Sequence, residues 1–204
     1  MLKKSAYTLL IAILPALPCQ SAAAQESYAI DPVHTRVAFR VMHAGFSPSI
    51  GAVSQPTGII WFDDKNIENS HVEIEIPVSR LDMGDQAWTD KATSGLLKID
   101  KYPTASFKST AVHAVSENML LVDGQLSVAG ESAPITFTTL INANKRHPLT
   151  FKKTLGMQAF GNISRKSLGI DAWPGVIGDN VHFDLSIEAT LMHKEQEGKD
   201  SDQK

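Results

Sequence analysis

"RVAFRVMH", residues 36–43, sets how the rest of the chain is read. In an extended backbone Val37, Phe39 and Val41 share one side with His43, while Arg36, Ala38, Arg40 and Met42 share the other. A period of two with one apolar face marks a strand packed on a core from one side. That apolar face ends in an imidazole. Three roles fit it: a hydrogen-bonded core histidine, a metal ligand, or the polar group of a binding cavity. The neighbouring strands decide among them.

Strand patterning recurs along the chain in "TGIIWFD" (57–63), "HVEIEIPVSRL" (71–81), "TASFKSTAV" (104–112), "MLLVDGQLSV" (119–128), "APITFTTLIN" (133–142), "LGMQAFGNI" (155–163) and "NVHFDLSIEATL" (180–191). Two are clean. Val72, Ile74, Ile76 and Val78 oppose Glu73, Glu75 and Pro77, and Val181, Phe183, Leu185 and Ile187 oppose His182, Asp184, Ser186 and Glu188. One apolar and one charged face is the signature of antiparallel sheet. Turn chemistry separates the strands in "FDDKNIENS", "VSEN", "VAGESAP" and "NANKRHP". The alternation stops over residues 82–97, "DMGDQAWTDKATSGLL", where Asp85 is placed to cap one or two helical turns carrying Trp88. Eight strands with almost no helix predict a single all-β domain, either a closed barrel or a sandwich.

The ends read differently. Lys3 and Lys4 precede the apolar "AYTLLIAILPALP" and then Ala22-Ala23-Ala24, the order of a cleavable export signal over residues 1–24. The sole cysteine, Cys19, follows Leu17-Pro18, where a lipoprotein signal wants a small residue. The predicted mature chain begins at Gln25 and has no cysteine, so its core has to hold without a disulfide in an oxidising compartment. It carries 17 basic side chains against 22 acidic ones, a net charge of −5. That balance argues against nucleic acid and against a polybasic membrane anchor. Residues 194–204, "KEQEGKDSDQK", read as a charged disordered tail, which leaves 25–193 for the barrel.

Catalytic motifs are missing. There is no G-x-S-x-G elbow, no cysteine nucleophile, no H-E-x-x-H and no glycine-rich phosphate loop. His34 and His43 lie an odd nine residues apart, on opposite faces of a continuous strand, so a shared metal site requires a break near His34. His182 faces outward, His71, His147 and His193 fall at loops or ends, and no pattern places His113. For the apolar faces, a packed core and a single-ligand cavity both fit a barrel of about eight strands. Gly51, Gly58, Gly124, Ala159 and Gly161 fall among large inward residues and predict open space, a long narrow cavity.

Five stretches in order, "YAIDPVHTRVAFRVMHAG" with "GIIWFD", then "YPTASFKST", "VDGQLSVAGESAPITF" and "ISRKSLGIDAWPGVIGDNV", resemble the YceI-like family of bacterial polyisoprenoid-binding proteins. The resemblance runs from about Tyr28 to Leu191. Family positions fall on Asp31, Pro32 and His34; on Val37, Phe39, Val41, His43 and Gly45; and on Tyr102, Pro103, Phe107 and Ser109. Others fall on Gly124, Leu126, Gly130 and Pro134, and on Arg165, Gly169, Trp173, Gly178 and Asp179.

The resemblance implies an extended lipocalin-like antiparallel eight-stranded β-barrel with one or two short helices. It implies an apolar tunnel for a polyisoprenoid, an isoprenoid quinone or a fatty amide, and it implies export to the periplasm. It also implies a homodimer and a membrane redox protein as partners, with no metal, no other cofactor and no catalytic residue. On this reading the ligand-binding residues are Val37, Phe39, Val41, His43, Ile60, Phe62, Ile74, Ile76, Trp88, Leu96, Phe107, Leu126, Phe137, Met157, Phe183 and Leu185. Departures cluster in the helical segment, where many relatives have Arg-Asp-x-His-Leu and this chain has Ala87, Trp88, Thr89, Asp90 and Lys91. Relatives' G-x-F-x-x-F gives way to Gly51, Val53 and Pro56. A rival reading makes the chain an enzyme on a tunnel-bound lipid, using His34, His43, Asp90 and Arg165; another makes it a quinone-presenting partner of a redox protein.

Overall fold

The computed structural model describes residues 25–192, so the export signal and the charged tail lie outside the described residues. Eleven strand segments form one antiparallel sheet: β1 (Glu26–Ile30), β2 (Arg36–His43), β3 (Ser47–Ser54), β4 (Thr57–Phe62), β5 (His71–Pro77), β6 (Leu81–Asp82), β7 (Thr104–Ser116), β8 (Met119–Val128), β9 (Glu131–Arg146), β10 (Lys153–Ser164) and β11 (Ile177–Leu191). Eight of them, in the order β1-β4-β5-β7-β8-β9-β10-β11, close into a barrel, because β1 pairs with β4 on one side and with β11 on the other. Tyr28 marks the closure, opposite Ile60 and Leu191. Closure removes the exposed edges that an open sheet would leave. The all-β barrel expected from the sequence is therefore the fold.

The remaining segments are the second halves of broken staves. β2 continues β1, β3 leads into β4, and β6 continues β5; they extend the wall as β11-β2-β3-β6. Each break has a local cause. Between β1 and β2, Asp31 Oδ1 accepts the N–H groups of Val33 and His34 and turns the chain. Between β3 and β4, Gln55 takes φ 59 ahead of the fully buried Pro56. Between β5 and β6, Val78–Arg80 form a 3-10 turn, and the Val78 N–H donates to the Pro103 carbonyl at 2.9 Å.

The eight stretches read from sequence are all strands. The reading missed β1 and β3, and of β6 it took in only Leu81 at the end of the 71–81 stretch. In β3, "SPSIGAVS", the hydrophobic pattern runs backwards: Ile50 is 68% exposed while Gly51 is buried. The Phe39 ring of β2 lies over Gly51 and fills the inward space that a large β3 side chain would take.

At the β6 end the wall is incomplete. β6 is two residues long and pairs only with β3. The segment 83–103 closes the remaining gap with helix α1 (Gln86–Asp90) and a π-helical turn over Lys91–Leu96. Asp85 caps α1 as expected, accepting the Trp88 N–H at 3.0 Å.

Candidate functional site: a two-chambered barrel interior

Inward side chains alternate along the staves and most of them are apolar, so the interior is lined mainly by hydrocarbon. It holds two cavities. A wide one of about 600 Å³ lies under the helical segment and is walled by β2, β3, β6, that segment and the loop 165–177. A narrow one of about 80 Å³ lies toward β1, β4 and β5 and ends at Ser70, His71 and Thr139. Val37, Ile76, Leu126 and Phe183 line both and form the waist between them. A volume of 600 Å³ falls within the roughly 300–1,000 Å³ typical of small-molecule sites.

All sixteen residues read from the sequence line one chamber or the other. The wide chamber takes Phe39, Val41, His43, Trp88 and Leu96; the narrow one takes Ile60, Phe62, Ile74, Phe107, Phe137, Met157 and Leu185; the waist takes the rest. The fourteen on strands are held there by the inward phase that identified them, while Trp88 and Leu96 reach the wide chamber from the helical segment. Among the wall residues outside the strands, sequence reading missed Met83, Lys91, Leu97, Leu168 and Ile170. Arg165 was singled out by motif but not as part of this wall. These stand on loops and short helices with no period to betray their direction.

Three of the five small residues do not create the space, while Ala159 does line the narrow cavity. A Cβ on Gly51, Gly124 or Gly161 would fall 2.5 to 2.8 Å from the rings of Phe39, Phe107 and Phe137, respectively. Each glycine is a seat for an aromatic ring, which corrects the expectation that they leave the barrel open. The seated rings form a chain through the interior. Phe107 and Phe137 meet edge-on at 5.2 Å and Phe137 and Phe183 edge-on at 6.2 Å, while Phe183 and Phe39 lie tilted to each other at 6.3 Å. Gly130 serves in the same way outside the barrel, at φ +90, with the Tyr102 ring packed where a side chain would stand.

At the mouth of the wide chamber the His43 ring lies 5.2 Å from that of Trp88, which is 45% exposed. Trp173, 48% exposed, closes against Gly95 on the other side. The His43 imidazole makes no hydrogen bond among the described residues, so the core-histidine role leaves it without a partner.

Arg165 is 4% exposed and holds the mouth loop in place. Its Nε donates to the Gly178 carbonyl at 2.9 Å, Nη1 to Ile170 and Ala172 at 2.6 and 2.9 Å, and Nη2 to Ile177 at 2.8 Å. The rival catalytic set does not assemble. His34 bonds Asp31 in the turn before β2, Asp90 accepts from the Gln86 side chain, and only His43 and Arg165 reach the cavity.

Three other described histidines have partners in the protein or face solvent. His71 stacks on Trp61 at 4.3 Å, His113 lies 3.6 Å from Asp123, and His182 is exposed on β11. The break before β2 does not bring His34 to His43. It brings His34 to Asp31 and Glu188, whose ligand atoms lie within 4.8 Å of one another, with the Asp31–His34 bond at 2.7 Å. At the narrow end, Tyr28 donates to Glu26 at 2.6 Å and Lys153 pairs with the same carboxylate. Burial and the Glu26 carboxylate push the Tyr28 hydroxyl up to about 12.

Comparison with known proteins gives a consistent picture. The chain is 27% identical over 190 residues to a UPF0312 protein of Pseudomonas putida (strain GB-1), covering 92% of this chain and 97% of that one. The Burkholderia cenocepacia BcnA crystal structure superposes with a TM-score of 0.70 at 20% identity, covering 79% of this chain and 99% of that one. A polyisoprenoid-binding domain from Saccharophagus degradans, implicated in plant cell wall breakdown, gives 0.62 at 15%, covering 82% and 99%. The family model for the YceI-like domain matches residues 28–189, from the closing strand β1 almost to the end of β11, and the chain belongs to that family.

Proposed function

We propose that this chain is an exported binding protein that carries one long apolar lipid, a polyisoprenoid, an isoprenoid quinone or a fatty amide, in the periplasm. One observation carries the reading: a wide, almost wholly apolar chamber inside a closed barrel, opening between Trp88 and Trp173. The polyisoprenoid-binding domain of the same fold supports the ligand class. The leader-like residues 1–24 support export. The reading makes the chain a carrier rather than an enzyme, since the polar groups at the chamber do not form a nucleophile–base pair.

The driving force is apolar burial. At about 0.8 kcal/mol per buried CH₂, three isoprene units supply roughly 10 kcal/mol before the costs of association. Such a force is indifferent to chain chemistry, so selectivity falls to the waist and the mouth. Thermal melting of delipidated protein tests the reading. Polyprenol or ubiquinone at a hundredfold excess over Kd stabilises a selective folded state by about 2.7 kcal/mol, a rise of several degrees. No rise with any long-chain lipid would reject it.

A further inference from the structure

Charge in this chain is unevenly spread. The overall balance speaks against a polybasic anchor, yet from Ser132 to Ile170 there is no aspartate or glutamate, while Lys145, Arg146, Lys152 and Lys153 crowd into nine residues. Those nine residues form the tip of the β9–β10 hairpin, at the narrow end of the barrel. β8 pairs with β9 only as far as Leu140, so the tip has no strand beside it on that side. Lys153 is held by Glu26. Lys145, Arg146 and Lys152 form no ion pair among the described residues.

The turn between these cations presents two large apolar side chains. Leu149 is 82% exposed and Phe151 67%. Local bonds fix the turn: the His147 N–H donates to the Lys152 carbonyl at 2.8 Å, and the Phe151 N–H to the His147 carbonyl at 2.9 Å. Nδ1 of His147 accepts the N–H groups of Leu149 and Thr150 at 3.2 and 3.3 Å. Phe151 stands at φ 58, a conformation that suits glycine or asparagine better than a bulky side chain. At the base of the hairpin Tyr28 donates to Asn144 at 3.0 Å and ties it to the barrel. A soluble polyanion complements the cations but offers nothing to Leu149 and Phe151. An anionic bilayer complements both, with headgroups for the charges and the acyl boundary for the two side chains.

We propose that the β9–β10 tip docks the protein on an anionic phospholipid bilayer, with Leu149 and Phe151 entering the headgroup–acyl boundary and Lys145, Arg146 and Lys152 set against lipid phosphates. β10 runs from this tip to Ser164, next to Arg165 in the wall of the wide chamber. A barrel docked this way turns its mouth away from the bilayer. The proposal does not depend on what the chamber carries.

Vesicle flotation of the mature protein tests it, with phosphatidylcholine vesicles and with vesicles that also contain phosphatidylglycerol. Binding is expected to the anionic vesicles and is expected to weaken as salt is added. Each lysine or arginine near such a surface strengthens binding about fivefold, so Lys145→Gln, Arg146→Gln and Lys152→Gln together are expected to lower it on the order of a hundredfold. Leu149→Ser with Phe151→Asn is expected to lower it more than about tenfold. Asparagine tolerates the turn's φ, so the melting temperature of that variant should hold. Val41→Trp, which fills the wide chamber, is expected to float as the wild type does; loss there would mean that vesicles are held through the chamber and would overturn the proposal. So would equal binding to both kinds of vesicle, or binding to neither. Undiminished binding by the Leu149→Ser, Phe151→Asn variant would make the partner a charged macromolecule instead of a bilayer, and undiminished binding by the triple glutamine variant would remove the anionic surface; either overturns it.

Discussion

The two halves of the barrel interior are built from the same kind of strand and end up differently. Toward β1, β4 and β5 the hydrogen-bonded ring is complete, and phenylalanine rings seated on glycines leave a cavity of about 80 Å³. Toward β6 the ring is interrupted, a short helix and a loop complete the wall, and about 600 Å³ stays open. Strands bring side chains into register at fixed spacing and so pack densely. A wall of loop and helix stands farther back. The binding space therefore arises where the ladder stops.

The sharpest way to break this comparison is to treat the narrow half as expendable. Phe137 is buried, edge-on to Phe107, and packed over Gly161. Phe137→Ala is expected to cost about 3–5 kcal/mol in urea unfolding and to leave lipid affinity within severalfold, because the main binding volume is elsewhere. A small stability loss would mean the narrow half is not a packed core.

The converse variant fills the wide half. Val41 lines only that chamber, on a strand that accommodates aromatic residues. Val41→Trp is expected to weaken polyprenol binding more than about tenfold while changing stability by less than about 1 kcal/mol, since it occupies space instead of displacing packed atoms. A stability loss as large as that of Phe137→Ala would show this half to be packed as well.

These contrasts also show what was legible in the sequence. Ile74, Ile76, Phe183 and Leu185 could be assigned to the interior because a strand has a strict period and the opposite face is charged. The same logic failed at β3, where Gly51 faces in and Ile50 faces out because the Phe39 ring occupies the space between the staves. Such a ring-on-glycine seat links two strands, and no single strand's pattern reveals it. The mouth was the least legible part. Lys91, Ile170 and Trp173 reach the chamber from segments without periodicity, and Arg165 carries a family motif whose geometry appears only once its four carbonyl partners are brought around it.

The helical cover is expected to be the weaker wall. Asp85→Ala removes the side chain that accepts the Trp88 N–H, and loss of such a cap costs about 1 kcal/mol. Amide hydrogen exchange should then quicken over residues 86–97 and not in β8 or β9, with faster lipid release. Uniform acceleration across the barrel would contradict an independent cover.

The smallest effect concerns the turn that breaks the first stave. His34 is held above its ordinary 6.5 by the hydrogen bond to Asp31 and that group's charge. Burial pushes the Asp31 carboxyl up, but the His34 bond and the backbone N–H groups of Val33 and His34 outweigh it and hold the group below 3.8. A raised histidine contributes stability below its unfolded value and loses it as pH rises through the folded one; a depressed carboxylate does the reverse on acidification. The pair therefore contributes fully between 3.8 and 6.5 and fades on either side. His34→Gln should shrink the drop in melting temperature between mildly acidic and mildly alkaline buffer, by little, because His34 is exposed. An unchanged drop would place its cause elsewhere.

The wide chamber is the centre of the account, and its contents are the most direct test. Protein exported from its own cells and purified without added lipid can be extracted and the extract weighed by mass spectrometry, with Val41→Trp treated in parallel. The account predicts about one single-chain lipid per wild-type chain and little or none from the variant. Extracts empty of lipid in both, together with an unmoved melting temperature when the wild-type protein is offered polyprenol or ubiquinone, would contradict it.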